Sequence, residues 1–331
     1  MRQLLAYNNE FLNMTKLSLS DISFDIVKTA EDAAIASYDW IGKGDSMAAD
    51  AAAVESMRET LNKIDIDGTV VIGEGERDEA PMLYIGEEVG LKQNGPKVDI
   101  ALDPLEGTTI CADGTRGSLT VIALAEAGNF LNAPDVYMQK IAVGPNLPAG
   151  VVDLDNSPAQ NLANLAKAKN CEISDLSILI LDRDRHKDLI ADHRKAGAKV
   201  SLITDGDVAG VVSCVDGSSG IDMYVGTGGA PEGVLAAAAL KTIGGQMQGR
   251  LIFGDNQKQI DRAKKMGITD LDKKYSAQEM AKGDVIFVCS GVTDGDILDG
   301  VKKSDGKVTV NTLIMNSKDK TVTKVKREFY S

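Results

Sequence analysis

Short apolar runs alternate with amphipathic stretches along most of this chain, and their periods predict its elements. Thr69-Val70-Val71-Ile72, Val98-Asp99-Ile100-Ala101-Leu102 and Ser118–Leu124 are short and apolar on successive residues, the pattern of strands covered on both faces. Upstream, Phe24–Ile41 has helical spacing, with Ile26, Ala30, Ala33, Ala34 and Tyr38 on one side. Gly42-Lys43-Gly44-Asp45-Ser46 breaks that helix and caps a second, from about Met47 to Ile64. An extended stretch, Val136–Val143, follows the turn Ala133-Pro134-Asp135. After Pro145 the rhythm becomes helix Asn161–Lys169, strand Leu176–Leu181, helix His186–Ala196, strand Lys199–Ile203, helix Val208–Val215, strand Ile221–Val225 and helix Pro231–Ile243. Lys307–Ile314 and Thr321–Arg327 alternate like a closing hairpin around Asn316-Ser317-Lys318-Asp319. The expectation is a mixed α/β fold of sheets covered by helices. Two lobes, 21–150 and 151–331, share one cleft as a single catalytic unit, and residues 1–20 form a tail with no assigned role.

Acids stand where the buried strands end. Thr69–Ile72 runs into Gly73-Glu74-Gly75-Glu76, and Val98–Leu102 into Asp103-Pro104-Leu105-Glu106-Gly107-Thr108. A turn shaped by Pro and Gly with solvated acids is the plain explanation for one such junction. Asp, Glu and Thr within six residues, with a second acidic turn besides, favour a cleft instead. Clustered carboxylates raise one another's pKa or need a cation, and hard divalent cations take carboxylate oxygens. A metal-assisted hydrolase is the first reading. Asp50, early in the second helix among Ala51, Ala52 and Ala53, is either an early-helix acid favoured by the macrodipole or a carboxylate held close to a sheet. In Arg77-Asp78-Glu79-Ala80-Pro81, Glu79 reads as solvated charge, whereas Asp78 can also orient or deprotonate a water or the Thr108 hydroxyl.

The chain has 331 residues and a net charge of −13, from 36 basic and 49 acidic residues. Nucleic acid and anionic membrane would meet no basic field here, and no apolar stretch is long enough to span a bilayer. A phosphorylated substrate would therefore depend on bound metal and a few arginines. Arg183 and Arg185 follow strand Leu176–Leu181 and are the best local cations for a phosphate remote from the metal, or else solvated loop charges. Cys111, Cys171, Cys214 and Cys289 are scattered, as reduced core thiols of a cytoplasmic protein are. His186 and His193 are the only histidines, too few for a histidine zinc site, and both read as structural.

Two further turns open helices. Gly226-Thr227-Gly228-Gly229-Ala230-Pro231-Glu232-Gly233 places Pro231 near the first helical position and offers backbone N–H groups to an anion. It lacks the Gly-Lys-Ser/Thr ending of a Walker loop, and Glu232 can equally complete a metal cluster or be a first-turn acid. In Asp205-Gly206-Asp207, N-capping accounts for one acid, and the other can bind a sugar hydroxyl.

Asp103–Thr108 resembles the signature of the metal-dependent, lithium-sensitive sugar- and inositol-phosphatase superfamily. Val71-Ile72-Gly73-Glu74-Gly75-Glu76-Arg77-Asp78-Glu79-Ala80-Pro81-Met82-Leu83-Tyr84-Ile85-Gly86-Glu87 more closely resembles the bacterial class II fructose-1,6-bisphosphatases, as do Leu131–Met138 and Gly228–Gly233. The likeness runs from about Phe24 to the C-terminus. It implies a layered α-β-α-β-α sandwich, a homodimer or homotetramer, and hydrolysis of the 1-phosphate of fructose 1,6-bisphosphate, a gluconeogenic step, with Mn²⁺ or Mg²⁺. Metal ligands would be Asp50, Glu74, Asp103, Glu106 and Glu232, and the catalytic pair Asp78 and Thr108. Substrate contacts would be Glu106, Gly107, Thr108, Tyr137, Arg183, Asp184, Arg185, Asp205, Gly206, Asp207 and Gly229. Thr108 would act as nucleophile or position the attacking water. A dual fructose-1,6-/sedoheptulose-1,7-bisphosphatase is the nearest alternative, and a non-catalytic metal- or sugar-phosphate-binding regulator the alternative of another class.

Overall fold

The computed structural model describes residue 19 and residues 21–75, 82–215 and 219–330. The expected catalytic Asp78 lies outside the described residues, as does the expected tail apart from Leu19. Helices α1 (Ser23–Tyr38) and α2 (Ser46–Leu61) precede strands β1 (Asp67–Ile72), β2 (Glu88–Val89) and β3 (Lys97–Glu106). A short α3 (Thr108–Asp113), β4 (Leu119–Glu126) and β5 (Tyr137–Val143) follow. Then come α4 (Pro158–Lys169), β6 (Ser177–Leu181), α5 (Lys187–Lys195), β7 (Lys199–Ile203), α6 (Asp207–Val212), β8 (Met223–Gly229) and α7 (Ala230–Ile243). The chain closes with β9 (Gln246–Ile252), α8 (Gln257–Lys265), β10 (Lys274–Ser276), α9 (Ala277–Met280), β11 (Val285–Gly291), β12 (Lys302–Ser304), β13 (Lys307–Asn316) and β14 (Thr321–Tyr330).

These strands form two mixed sheets. The first runs β12-β13-β11-β4-β3-β1-β2, with β14 also on β13, and the second β10-β9-β5-β8-β6-β7. After residue 284 the chain thus returns to the sheet in which it began, a long-range closure that no local pattern announces. The period of two sorts each strand between cores. On β4, Val121, Ala123 and Ala125 face the layer between the sheets, while Ile122 and Leu124 face α1 and α2. On β6, Leu179 points inward, and Ile178 and Ile180 point to α4 and α5 on the outer face. Helix α7 lies between the sheets, against β3, β4 and β11 on one side and β5, β8 and β9 on the other. Covered all round, it uses four consecutive alanines, Ala236–Ala239, which let both sheets approach. Helix, sheet, helix, sheet and helix follow one another through the molecule, in agreement with the expected layering.

Two irregularities aim the site residues. Asp103 pairs with Val121 but Glu106 pairs with Leu119, so β3 carries one residue more than its partner at Pro104-Leu105. Residues three apart on a regular strand face opposite ways, and the bulge brings Asp103 and Glu106 onto the same face. Proline fits there because it has no N–H to give a ladder. A similar shift between Val70 and Ile72 in β1 turns Ile72, and the chain leading to Glu74, toward the middle layer.

Far from these bulges, Glu31 of α1 is fully buried, with Arg327 of β14 at 2.7 Å and Thr312 at 3.5 Å. Burial outweighs the nearby Arg327 guanidinium and lifts this carboxyl from its ordinary 4.5 to about 7. A proton held more tightly by the folded chain stabilises fully below the unfolded pKa, and that contribution is lost as pH rises through the folded one. Here it amounts to about 3 kcal/mol. Glu31→Gln should therefore flatten the fall of Tm between about pH 4.5 and pH 7, and curves parallel to the wild type would show that Glu31 does not titrate as described.

Candidate active site

Parallel strands present their carboxyl ends to one place. In the first sheet β1 and β3 are parallel, and in the second β6 is parallel to both β7 and β8. Crevices beyond such strand ends are where open α/β sheets bind ligands. Here a cavity of about 410 Å³ is walled by Asp50, Glu74, Asp103, Glu106, Gly107, Thr108, Asp135, Asp205, Asp207 and Glu232, with Leu102, Leu105, Pro231 and Leu235 supplying apolar surface. All five acids expected as metal ligands are thus gathered, from four separate stretches of chain.

Each acid has a local reason for its position. Asp50 lies in the second turn of α2, whose buried Ala49 and Ala53 let that helix settle on the first sheet. Glu74 follows Gly73, where any side chain would strike the Leu83 carbonyl that accepts the Glu74 N–H at 3.0 Å. Asp103 accepts the Leu105 N–H at 3.1 Å, closing a turn across the bulge. Gly107, at φ 76°, reverses the chain so that Thr108 begins α3 at the cavity wall. Glu106 is held at the start of α6, its Oε1 accepting Val208 N–H at 2.5 Å and its Oε2 accepting Ala209 N–H at 3.2 Å. An anion at a helix N-terminus satisfies amides that have no partner within the helix. Glu232 sits in the first turn of α7, beneath the Gly229 backbone.

Burial and mutual repulsion act in one direction on these groups. Desolvation, then Asp103, Asp50 and Glu232, push the Glu74 carboxyl well above the usual carboxylate range. Burial, with Glu232 and Asp50, does the same to Asp103, against the Leu105 N–H. Glu106 is raised by burial and by Asp103, and only partly restrained by the Val208 N–H. Asp50 and Glu232 are raised as well, mainly by burial. The Glu232 Oε2 atom is buried without a hydrogen-bond partner. An all-oxygen donor set, mutual repulsion and an orphaned carboxylate oxygen fit a hard divalent cation. The acids ring the cavity rather than meeting at a point: among the described residues no group of three His, Cys, Asp or Glu already stands in a metal-holding arrangement.

The expected substrate contacts divide. Glu106, Gly107, Thr108, Asp205 and Asp207 form cavity wall, and Gly206 borders a neighbouring cavity of about 690 Å³ that also touches Asp205. Gly229 ends β8 opposite Tyr137, the first residue of β5. Tyr137 is exposed and lies under the Arg185 guanidinium, 4.9 Å from its ring centre, while Arg185 donates twice to the Thr227 carbonyl, at 2.9 and 2.7 Å. Arg183 reaches Asp205 at 3.6 Å. Asp184 turns to solvent and pairs with Lys187. Gly226–Gly229, expected as loop, continues β8 because its backbone pairs with Tyr137–Lys140. Both histidines are structural. His186 takes the Thr227 N–H on Nε2 and lies 2.8 Å from the Leu181 carbonyl through Nδ1, and His193 is buried against the Leu189 carbonyl. Sequence reasoning missed Lys140, buried in the middle of β5 as the ion-pair partner of Asp207, and Asp135 in the cavity wall. A lone lysine in the apolar run Tyr137–Val143 was the available signal.

Among curated relatives, the "D-fructose 1,6-bisphosphatase class 2/sedoheptulose 1,7-bisphosphatase" of Synechococcus sp. (strain JA-3-3Ab) is 44% identical over 324 residues, 91% of this chain and 93% of that protein. The protein of the same name from Prochlorococcus marinus (strain MIT 9301) is 47% identical over 310 residues, covering 90% and 92%. Among solved structures, inositol monophosphatase from Anabaena (Nostoc) sp. PCC 7120 aligns with a TM-score of 0.32 and 12% identity, over 59% of this chain and 71% of that one. Residues 20–329 match the family described as "Bacterial fructose-1,6-bisphosphatase, glpX-encoded", and the chain belongs to that family.

Proposed function

We propose that the chain removes the 1-phosphate of fructose 1,6-bisphosphate, with Mn²⁺ or Mg²⁺ held by Asp50, Glu74, Asp103, Glu106 and Glu232. The observation that carries this reading is the convergence of those five acids, with Thr108, on one cavity in a chain of this family. When bound, divalent cations neutralise phosphate oxygens and the charge that develops in phosphoryl transfer. The protein's own part is placement. Glu106 is aimed by two amides of α6, Thr108 is brought to the wall by the Gly107 reversal, and Asp103 by the bulge of β3. Thr108 supplies the hydroxyl that either attacks phosphorus or orients the attacking water, the P–O bond to the sugar's C1 oxygen breaks so that this oxygen leaves with the sugar, and Asp78 is the proposed acceptor of the nucleophile's proton. Arg185, fixed against Tyr137 and Thr227, and Asp205 are proposed to hold the sugar and its second phosphate at the rim. The names of the curated relatives favour sedoheptulose 1,7-bisphosphate as a second substrate of the same pocket, since one extra hydroxymethylene is a small discrimination.

Phosphate release from fructose 1,6-bisphosphate, sedoheptulose 1,7-bisphosphate and fructose 1-phosphate, with Mn²⁺ or with chelator, tests this reading. Metal-dependent release from the first is expected, and none from any of the three would refute it. Thr108→Ala should lower turnover by roughly two or more orders of magnitude, the scale of lost nucleophilic or acid–base assistance. Near-normal turnover would remove Thr108 from the chemistry. Raised carboxylate pKa values make the metal-free protein most stable when the cluster is protonated, so stability falls as pH rises above the ordinary 4.5 of a glutamate through the raised values. In chelator, Tm should therefore fall as pH rises above about 4.5, and Mn²⁺ should restore more of it at the alkaline end than at the acid end. A metal-induced rise in Tm that does not depend on pH would contradict the sign.

A further inference from the structure

Beside the cavity lies a polar cluster that neither the acid set nor the sugar contacts explain. Lys140, the middle residue of β5, is fully buried in the layer between the sheets. An ammonium there is tolerable only if paired. Its Nζ pairs with Asp207 Oδ2, and Tyr224 of β8 donates its hydroxyl to Asp207 Oδ1. Its charge also acts on Glu232. Bare backbone makes the room: a Cβ on Gly228 would fall on Asp207 Oδ2, one on Gly229 would fall on Glu232 Oε2, and one on Gly233 would press on Lys140 Cε.

Asp207 is the first residue of α6, and the amides of the next two residues hold both oxygens of Glu106. Whatever fixes Asp207 therefore fixes the direction of the Glu106 carboxylate. We infer that Lys140 is a positioning residue: through Asp207 at the start of α6 it sets the Glu106 carboxylate, so that one buried ammonium aims one of the five cavity acids. Asp207, which the resemblance assigns to the sugar, belongs on this account to the scaffold. The inference rests on the metal-dependent reading above. A merely charge-balancing lysine would matter only while Asp207 is charged, and that difference is testable.

Lys140→Met alone leaves Asp207 buried and unpaired, which destabilises on either view. The deciding variant is Lys140→Met/Asp207→Asn, which removes both charges together. Its Tm, its Mn²⁺ affinity by calorimetry without substrate, and its kcat and KM are compared with the wild type. Positioning predicts a recovered Tm with Mn²⁺ affinity weakened by about tenfold or more, the scale on which partners of metal ligands act. It also predicts a lower kcat with KM changed far less. Affinity and kcat both within about twofold of the wild type would overturn it. If the double variant does not fold, Tyr224→Phe decides: weaker Mn²⁺ binding supports the inference, and unchanged binding overturns it. Because the titration needs no turnover, a wild type that binds Mn²⁺ but hydrolyses none of the bisphosphates defeats the functional proposal alone, whereas a wild type that binds no Mn²⁺ defeats both.

Discussion

Too much negative charge in too little water is the constraint around which this molecule is arranged. Two unit charges about 5 Å apart repel by about 3 kcal/mol at an effective dielectric of about 20. Asp50, Glu74, Asp103, Glu106 and Glu232 line one cavity, where burial, with repulsion among several of them, raises their carboxyl pKa values. Burial and repulsion therefore favour protons or cations on this cluster. Four of the five acids are secured by different devices: a helix start for Glu106, a bulge and turn for Asp103, a glycine with no room for a side chain before Glu74, and bare backbone above Glu232.

Those devices come from both sheets, which explains why the chain must cross from one to the other and back. Glu74, Asp103 and Glu106 arrive on β1 and β3 of the first sheet, whereas Glu232 and Asp207 arrive after β8 and β7 of the second. The middle layer is where the two meet. Its principal helix, α7, carries Glu232 in its first turn and alanines along its buried length. The same helix thus delivers one cavity acid and sets the spacing of the two sheets that deliver others. Its alanines belong to the site as much as to the core.

Where the chain's chemistry is local, it was legible in the sequence. Apolar runs ending in acids marked the carboxyl ends of β1 and β3, and the turns at 205–207 and 228–233 marked helix starts. What escaped was contextual. β9, β10 and β11 gave no separate signal, since short runs such as Val285–Gly291 suit several environments and their place depends on pairing across the chain. Bulges are invisible to a period of two, so the shared face of Asp103 and Glu106 had to be seen. Lys140 escaped for the opposite reason: one charged residue in an apolar strand looks like an outward-facing position, and only the buried Asp207 opposite makes it an inward one.

Asp205 and Asp207 show how far a motif falls short of a role. Two residues apart around Gly206, they look equivalent in sequence, yet Asp207 is buried against Lys140 and Tyr224 while Asp205 stays partly exposed, near Arg183. Of the two, Asp205 has an oxygen available to a polar ligand from solvent without breaking a buried pair. The same reasoning orders the cations of a chain with net charge −13. Lys140 is spent inside, Arg183 is drawn to Asp205, and Arg185 stands on Tyr137, tied to the carbonyl of Thr227 two residues before Gly229. A guanidinium fixed to the strand that leads into Glu232 moves only if that strand moves. The distance between Glu232 and the Arg185 guanidinium is therefore set by β8, a central strand, and not by a loop.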